Sequence, residues 1–331
     1  MFNILVVTYL FLGGTGAGIC TVLGILGLMV PGGHLMVESL RATPVRFLRY
    51  DPVARIRIEA SISDNLRRLF GPCYGLAALF LLVGIACLMV DLGRLDRVFN
   101  LLLSPQATYL TIGAYALVIC GFLMVAMGLV FARIVHHCPY WLLRAMQVLS
   151  IPVGVVVMLY TGLMLATMPA VPLWNMWCLP VLFLCSALSC GMACVAMCAH
   201  FSESWNTFPT VMRRLLMADA VIMVVEIGVL VAYVSLVPKV WPPVTPTGVA
   251  AAQSLDLLLQ GSRGVLFQVG YVVAGLVVPV LLACGLIYLS PRAEVSLRPF
   301  MMVTGTLVVI GGFIMRWCVV MAGVQPELLV L

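Results

Sequence analysis

From residue 145 to residue 202 the chain carries no Asp, Glu, Lys or Arg; the flanking charges are Arg144 and Glu203. At ~1.5 Å of rise per residue, one helix of that length would far exceed the ~30 Å hydrocarbon core of a bilayer. Such a stretch cannot face water either, because roughly a quarter of the residues of a soluble domain are charged. It must therefore form two membrane-spanning helices, and Pro169, Pro172 and Asn175 mark the turn that divides them.

The rest of the sequence repeats the pattern. Only 9% of the 331 residues are charged and 63% are hydrophobic, which excludes a water-soluble globular enzyme of this size. Eight apolar runs bounded by charges or turn residues predict spanning helices at 4–30, 69–90, 108–131, 146–168, 173–199, 215–237, 265–289 and 299–324. The first run lacks a charged start and is too long for a cleavable signal, so it is expected to remain as a helix. Pro152, Pro180 and Pro279 fall inside spans and predict kinks.

An even number of spans puts both ends on one side, and Arg and Lys decide which. With the N-terminus outside, the inner loops hold thirteen Arg (41, 46, 49, 55, 57, 67, 68, 133, 144, 213, 214, 292 and 298). The outer loops then hold four basic residues, Arg94, Arg97, Lys239 and Arg263. This positive-inside bias places both termini on the outer side. It also accounts for the net charge of +6 without a nucleic-acid partner, since the basic residues are scattered between apolar runs. The mixed charges of 31–68 predict an interfacial segment, and Trp141, Trp174, Trp177 and Trp205 fit interfacial belts.

Ionisable residues inside spans are functional candidates because each costs a few kcal/mol to place there. Asp219 and Glu226 on span six and Arg316 on span eight are three such residues. Asp219, Glu226 and Tyr233 are spaced by seven and should share one helical face. Two readings stand side by side: a proton relay, and a buried Glu226–Arg316 ion pair that fixes packing.

Haem held by two histidines needs facing imidazoles inside the bundle, yet His34, His136, His137 and His200 lie at or beyond helix ends. No haem is therefore expected. The twelve cysteines contain no C-x-x-C, and Cys190, Cys194 and Cys198 form a helical stripe read as packing, so neither a metal nor an iron–sulfur cluster is expected in this chain. Glycines 13, 14, 16 and 18 on span one read as a close-packing stripe, compatible with a smooth groove for an isoprenoid tail. Tyr9, Tyr115 and Tyr160 lie at similar depth near the outer ends of spans one, three and four. One such Tyr is commonly a belt residue, but hydroxyls on three helices suit the two carbonyl oxygens of a quinone head.

Three stretches carry a resemblance that covers the chain from end to end: TYLFLGGTGAGICTVL at 8–23, DLGRLDRVFNLLLSP at 91–105 and GGFIMRWCVVMAG at 311–323. In this order they resemble the signatures of the NrfD/PsrC-like membrane subunits, the family of polysulfide reductase and related anchors. The resemblance implies an all-α integral membrane protein with eight transmembrane helices in two four-helix bundles, here 1–168 with the quinone site and 169–331. It implies menaquinone or ubiquinone near the outer face, and no haem. It also implies electron transfer to a four-cluster ferredoxin-like iron–sulfur subunit that serves a molybdopterin catalytic subunit, in a bacterial or archaeal cytoplasmic membrane. The family's outer loop falls on Asp91, Gly93, Arg94, Arg97 and Asn100, its intramembrane arginine on Arg316, and its polar quinone contacts on Thr8, Tyr9 and Tyr160. Relatives often have His or Asn near the start of helix one, where this chain has Asn3, Thr8 and Tyr9, and Pro after D-L-G-R, where it has Leu95.

The expectation is thus a haem-free, quinol-oxidising membrane subunit. Thr8, Tyr9, Asp91, Tyr115 and Tyr160 would contact the quinone, while Arg94, Arg97 and Asn100 would dock a partner or brace the pocket. One rival is a redox-driven proton-translocating module that uses Asp219, Glu226, Tyr233 and Arg316. The other is a secondary transporter, whose expected pair of broken helices with midplane polar residues is not evident outside span six.

Overall fold

The computed structural model describes residues 4–30, 36–42, 56–92, 109–132, 134–135, 138–202, 208–242, 244–289 and 298–323. Among these residues, eight helices are long and apolar enough to cross a bilayer, in the expected order. Six of them are α1 (Ile4–Met29), α2 (Asp64–Leu92), α3 (Tyr109–Phe131), α4 (Tyr140–Ala166), α5 (Cys178–Phe201) and α6 (Pro209–Val240). After the short α7 (Pro246–Leu259) comes α8, made of three joined segments, Gly261–Val265, Leu266–Val277 and Val278–Leu289, and then α9 (Arg298–Gly323).

Several helices run past the apolar stretches that predict them. α6 starts at Pro209, whose fixed φ and missing N–H suit a first helical turn, and it carries the exposed Arg213 and Arg214 before its apolar run begins. α7 lies between the sixth and seventh apolar runs, where no span is expected. Its N-terminus is set by Thr245, whose hydroxyl accepts from the Gly248 N–H at 3.1 Å, with Pro246 at the first helical position.

α1 lies at the centre and packs against α2, α4, α5 and α9. Between helices in lipid the hydrophobic effect gives little drive, so close van der Waals approach does the holding. Of the glycine stripe, Gly16 and Gly18 make that approach, and Gly24 further along α1 adds a third. A Cβ on Gly16 would press on Leu81 of α2, one on Gly18 would overlap the Ala187 carbonyl of α5, and one on Gly24 would overlap the Ser150 hydroxyl of α4. Other packed pairs are α2–α3, α3–α4, α4–α5, α5–α6, α5–α9, α6–α8 and α8–α9.

The chain departs from an all-helical reading in the loop after α1. Residues β1 (Met36–Ala42) and β2 (Ile56–Ile62) pair as an antiparallel ribbon, with Met36 opposite Ile62 and Ala42 opposite Ile56. The reason is legible in Ile-Arg-Ile-Glu-Ala-Ser-Ile, which alternates apolar and polar residues with the period of a strand. Trp174 also corrects its reading as a belt residue. It is 1% exposed, its indole N–H donates to the Val319 carbonyl at 2.9 Å, and its ring fills the space beside Gly323. Trp177, 85% exposed, keeps the exposed setting of a belt. Trp205 lies outside the described residues.

The middle segment of α8 is a π-helix, the rare wider form that often marks a functional site. Pro279 gives it a physical cause: a proline ring clashes with the carbonyl four residues back, here Gly275. Widening the turn relieves that clash, and Gly275 there packs closely on the Gly311 backbone of α9, where a Cβ would not fit.

Candidate functional site

Two groups of polar side chains sit inside the helices. One lies near the start of α1 and the end of α4. Tyr9 is five residues inside α1 and Tyr160 six residues inside α4, each ~8–9 Å from its helix end. Their depths match, and so do their directions. The Tyr9 hydroxyl donates to the Tyr160 hydroxyl at 2.8 Å, with the rings 1% and 3% exposed. The Met164 thioether lies 3.9 Å from both hydroxyls.

A phenol has one proton to donate. That of Tyr9 is committed to Tyr160, whereas that of Tyr160 has only a thioether, a weak acceptor. The pair therefore holds a buried O–H ready for a better acceptor. Gly113 of α3 makes room for it, since a Cβ there would overlap the Tyr160 ring. Gly113 was missed in the sequence, where nothing distinguishes it from other glycines of the spans.

The other expected quinone contacts do not gather here. Tyr115 is 44% exposed, and two residues from Gly113 is ~200° around the helix, so it faces away from Tyr160. Thr8 is half-buried and its hydroxyl donates to the Ile4 carbonyl at 2.9 Å within α1. Asp91 is exposed at the end of α2. Arg94, Arg97 and Asn100 lie outside the described residues.

The second group is in the core between α5, α6, α8 and α9. Asp219, Glu226 and Tyr233 are all buried, as their spacing of seven requires. Each has found its own partner. Ser189 donates to Asp219 Oδ1 at 2.7 Å, Tyr271 donates to Glu226 Oε1 at 2.8 Å, and Tyr233 donates to the Leu173 carbonyl at 2.7 Å. Tyr233 thus braces the turn between α4 and α5.

Arg316 is fully buried, yet it makes no direct ion pair with Glu226. Its Nη1 donates to the Gly312 carbonyl at 2.8 Å and to Ser186 Oγ at 3.3 Å. The guanidinium lies over the rings of Phe183 at 5.3 Å and Phe11 at 5.6 Å, a cation–π arrangement that offsets part of its desolvation. Nε and Nη2 have no hydrogen-bond partner, and Gly14 of α1 leaves the room that Nη2 occupies. Tyr271, Ser186 and Ser189 were missed because they are neutral residues in apolar runs. Among the described residues, no three of His, Cys, Asp and Glu are grouped to hold a metal ion.

A family model described as "Polysulphide reductase, NrfD" matches residues 54–326. The match takes in every helix from α2 to α9 and leaves α1, with Tyr9, outside. No curated protein matches the chain.

Proposed function

Because the chain belongs to the NrfD, polysulphide reductase, family, we propose that it oxidises a quinol at the Tyr9–Tyr160 pair and passes the electrons to an iron–sulfur partner. Members of this family are membrane subunits of quinone-interacting oxidoreductase complexes. The observation that carries the reading is the buried hydroxyl pair, which supplies the donor that a quinone carbonyl requires.

The residues fit such a head. Tyr160 offers its O–H to one oxygen, and Tyr9 fixes the Tyr160 hydroxyl by donating to it. Menaquinol or ubiquinol, when bound, supplies two electrons and two protons. Asp91, exposed at the same end of the bundle, would receive protons from that end and release them to water. Thr8 lies on the same turn as Tyr9 and would line the entry.

Around this site the proposal includes both termini on the outer side of a bacterial or archaeal cytoplasmic membrane, supported by the distribution of arginines. It includes two four-helix bundles, 1–168 and 169–331, supported by the ring of packed pairs within each half. A ferredoxin-like subunit would dock over 91–104 and the 239–261 connection that carries α7, with Arg94, Arg97 and Asn100 as contacts and a molybdopterin subunit beyond. No haem or cluster is assigned to this chain. Photolabelling of native membranes with an azido-quinone tests the placement. Label on 4–29 and 140–166 supports it, and label confined to other helices overturns it.

A second reading is favoured by the buried Asp219–Ser189 and Glu226–Tyr271 pairs, which would pass protons through the second bundle and make the subunit a redox-driven proton-translocating module.

A further inference from the structure

At the end of the bundle opposite the tyrosine pair, a cavity of about 520 Å³ lies between α1, α2, α4, α5 and α6. It runs along α1 from Thr21 to Val30, which at ~1.5 Å per residue is ~14 Å, close to the depth of one leaflet of a ~30 Å core. Ile25 and Met29 line it and are themselves half exposed on the outer surface of α1, so the cavity is a cleft open to the bilayer.

Its polar lining consists of Thr21 and Arg214. Thr21 Oγ1 donates back to the Ala17 carbonyl at 3.0 Å. Among the described lining residues no hydroxyl is therefore left for a quinone carbonyl, and the cleft suits a hydrocarbon chain rather than a redox head. Arg214 is exposed where α6 leaves its apolar run, and among the described residues no acidic side chain lines the cleft to balance it. A second guanidinium stands at the same end: Arg144 of α4 binds the carbonyls of Gly27 and Val30, the latter a lining residue.

We propose that this cleft binds one anionic phospholipid, with an acyl chain between α1 and α6 and the phosphate on Arg214. An arginine fork matches phosphate geometry, and among the described lining residues no carboxylate stands to receive the ammonium of a zwitterionic head. The lipid would fill the seam where α1 and α6 are kept apart, joining the two halves of the chain at this leaflet.

Native mass spectrometry of the intact complex, delipidated and titrated with phosphatidylglycerol or phosphatidylcholine, tests the site. The wild-type protein should retain phosphatidylglycerol about fivefold better, the scale of one exposed charge pair. Arg214→Gln should bring the two lipids to parity, and Ala218→Phe, which fills the cleft, should lower both. Arg214 and Ala218 are exposed, so neither change disturbs the core. Equal retention of both lipids by the wild-type protein, unchanged lipid binding in both variants, or loss from Ala218→Phe of bound quinone in place of phospholipid, overturns the proposal.

Discussion

The hydroxyls of Tyr9 on α1 and Tyr160 on α4 lie 2.8 Å apart, and Tyr9 is the donor. That direction makes the two residues unequal. Tyr160→Phe removes the proton offered to a ligand, while Tyr9→Phe leaves it in place and removes only the group that orients it. One neutral hydrogen bond contributes about 1 kcal/mol, so Tyr160→Phe should lower kcat/KM for quinol oxidation about fivefold to tenfold, and Tyr9→Phe by less. Steady-state oxidation of a soluble quinol by the purified complex measures both. Equal, wild-type rates in the two variants would remove the pair from the site.

Gly113 supports the same site from α3. A Val there would displace the Tyr160 ring, and overpacking of this kind costs about 1–3 kcal/mol. Gly113→Val should therefore lower both the melting temperature and quinol oxidation. Gly71→Ala is the control, because no heavy atom lies within 4 Å of the Cβ it would add. A Gly113→Val protein with normal activity would show that the ring position does not matter.

The spans were legible because a bilayer demands ~20 apolar residues per crossing, a rule that leaves few alternatives. The shared face of Asp219, Glu226 and Tyr233 was legible for the same kind of reason, since a seven-residue spacing fixes direction on a helix. Partner choice was not. Composition cannot tell that Trp174 turns inward to Val319 while Trp177, three residues on, turns out. Nor can it show that a tyrosine in a charge-free span, Tyr271, reaches Glu226 ahead of Arg316. The tyrosines at one depth divided in two, because depth constrains position along a helix and says nothing of direction around it. The strand pair was present as alternation in 56–62, but a search for apolar runs is blind to period two.

The contact between α1 and α5 rests on two glycines. A side chain at Gly18 would strike the Ala187 carbonyl, and one at Gly191 would strike the Gly18 backbone. Backbone cannot shift as a flexible side chain can, so Gly18→Val should separate the helices. The expected result is a large fall in the yield of monodisperse protein in detergent. Gly228→Ala on α6, with open space around it, should behave as wild type. Full yield from Gly18→Val would show that the α1–α5 seam is looser than its geometry.

Glu226 and Tyr271 offer a separation of structure from proton movement. Glu226→Gln keeps a carbonyl oxygen to accept the Tyr271 O–H but cannot carry a proton, so the protein should fold and oxidise quinol within about twofold of wild type, well under the loss expected for a deleted hydrogen bond. Tyr271→Phe leaves a buried carboxylate without its donor, at a cost of about 1–3 kcal/mol, read as a lower melting temperature. Combining the two should lose less stability than the sum, with a coupling of about 0.5–3 kcal/mol for groups in direct contact. Additive effects would mean that the 2.8 Å contact carries no energy. Proton uptake by proteoliposomes then decides the second function: translocation lost in Glu226→Gln with quinol oxidation intact assigns the carboxylate to a relay, and translocation retained leaves it the role of holding α6 against α8.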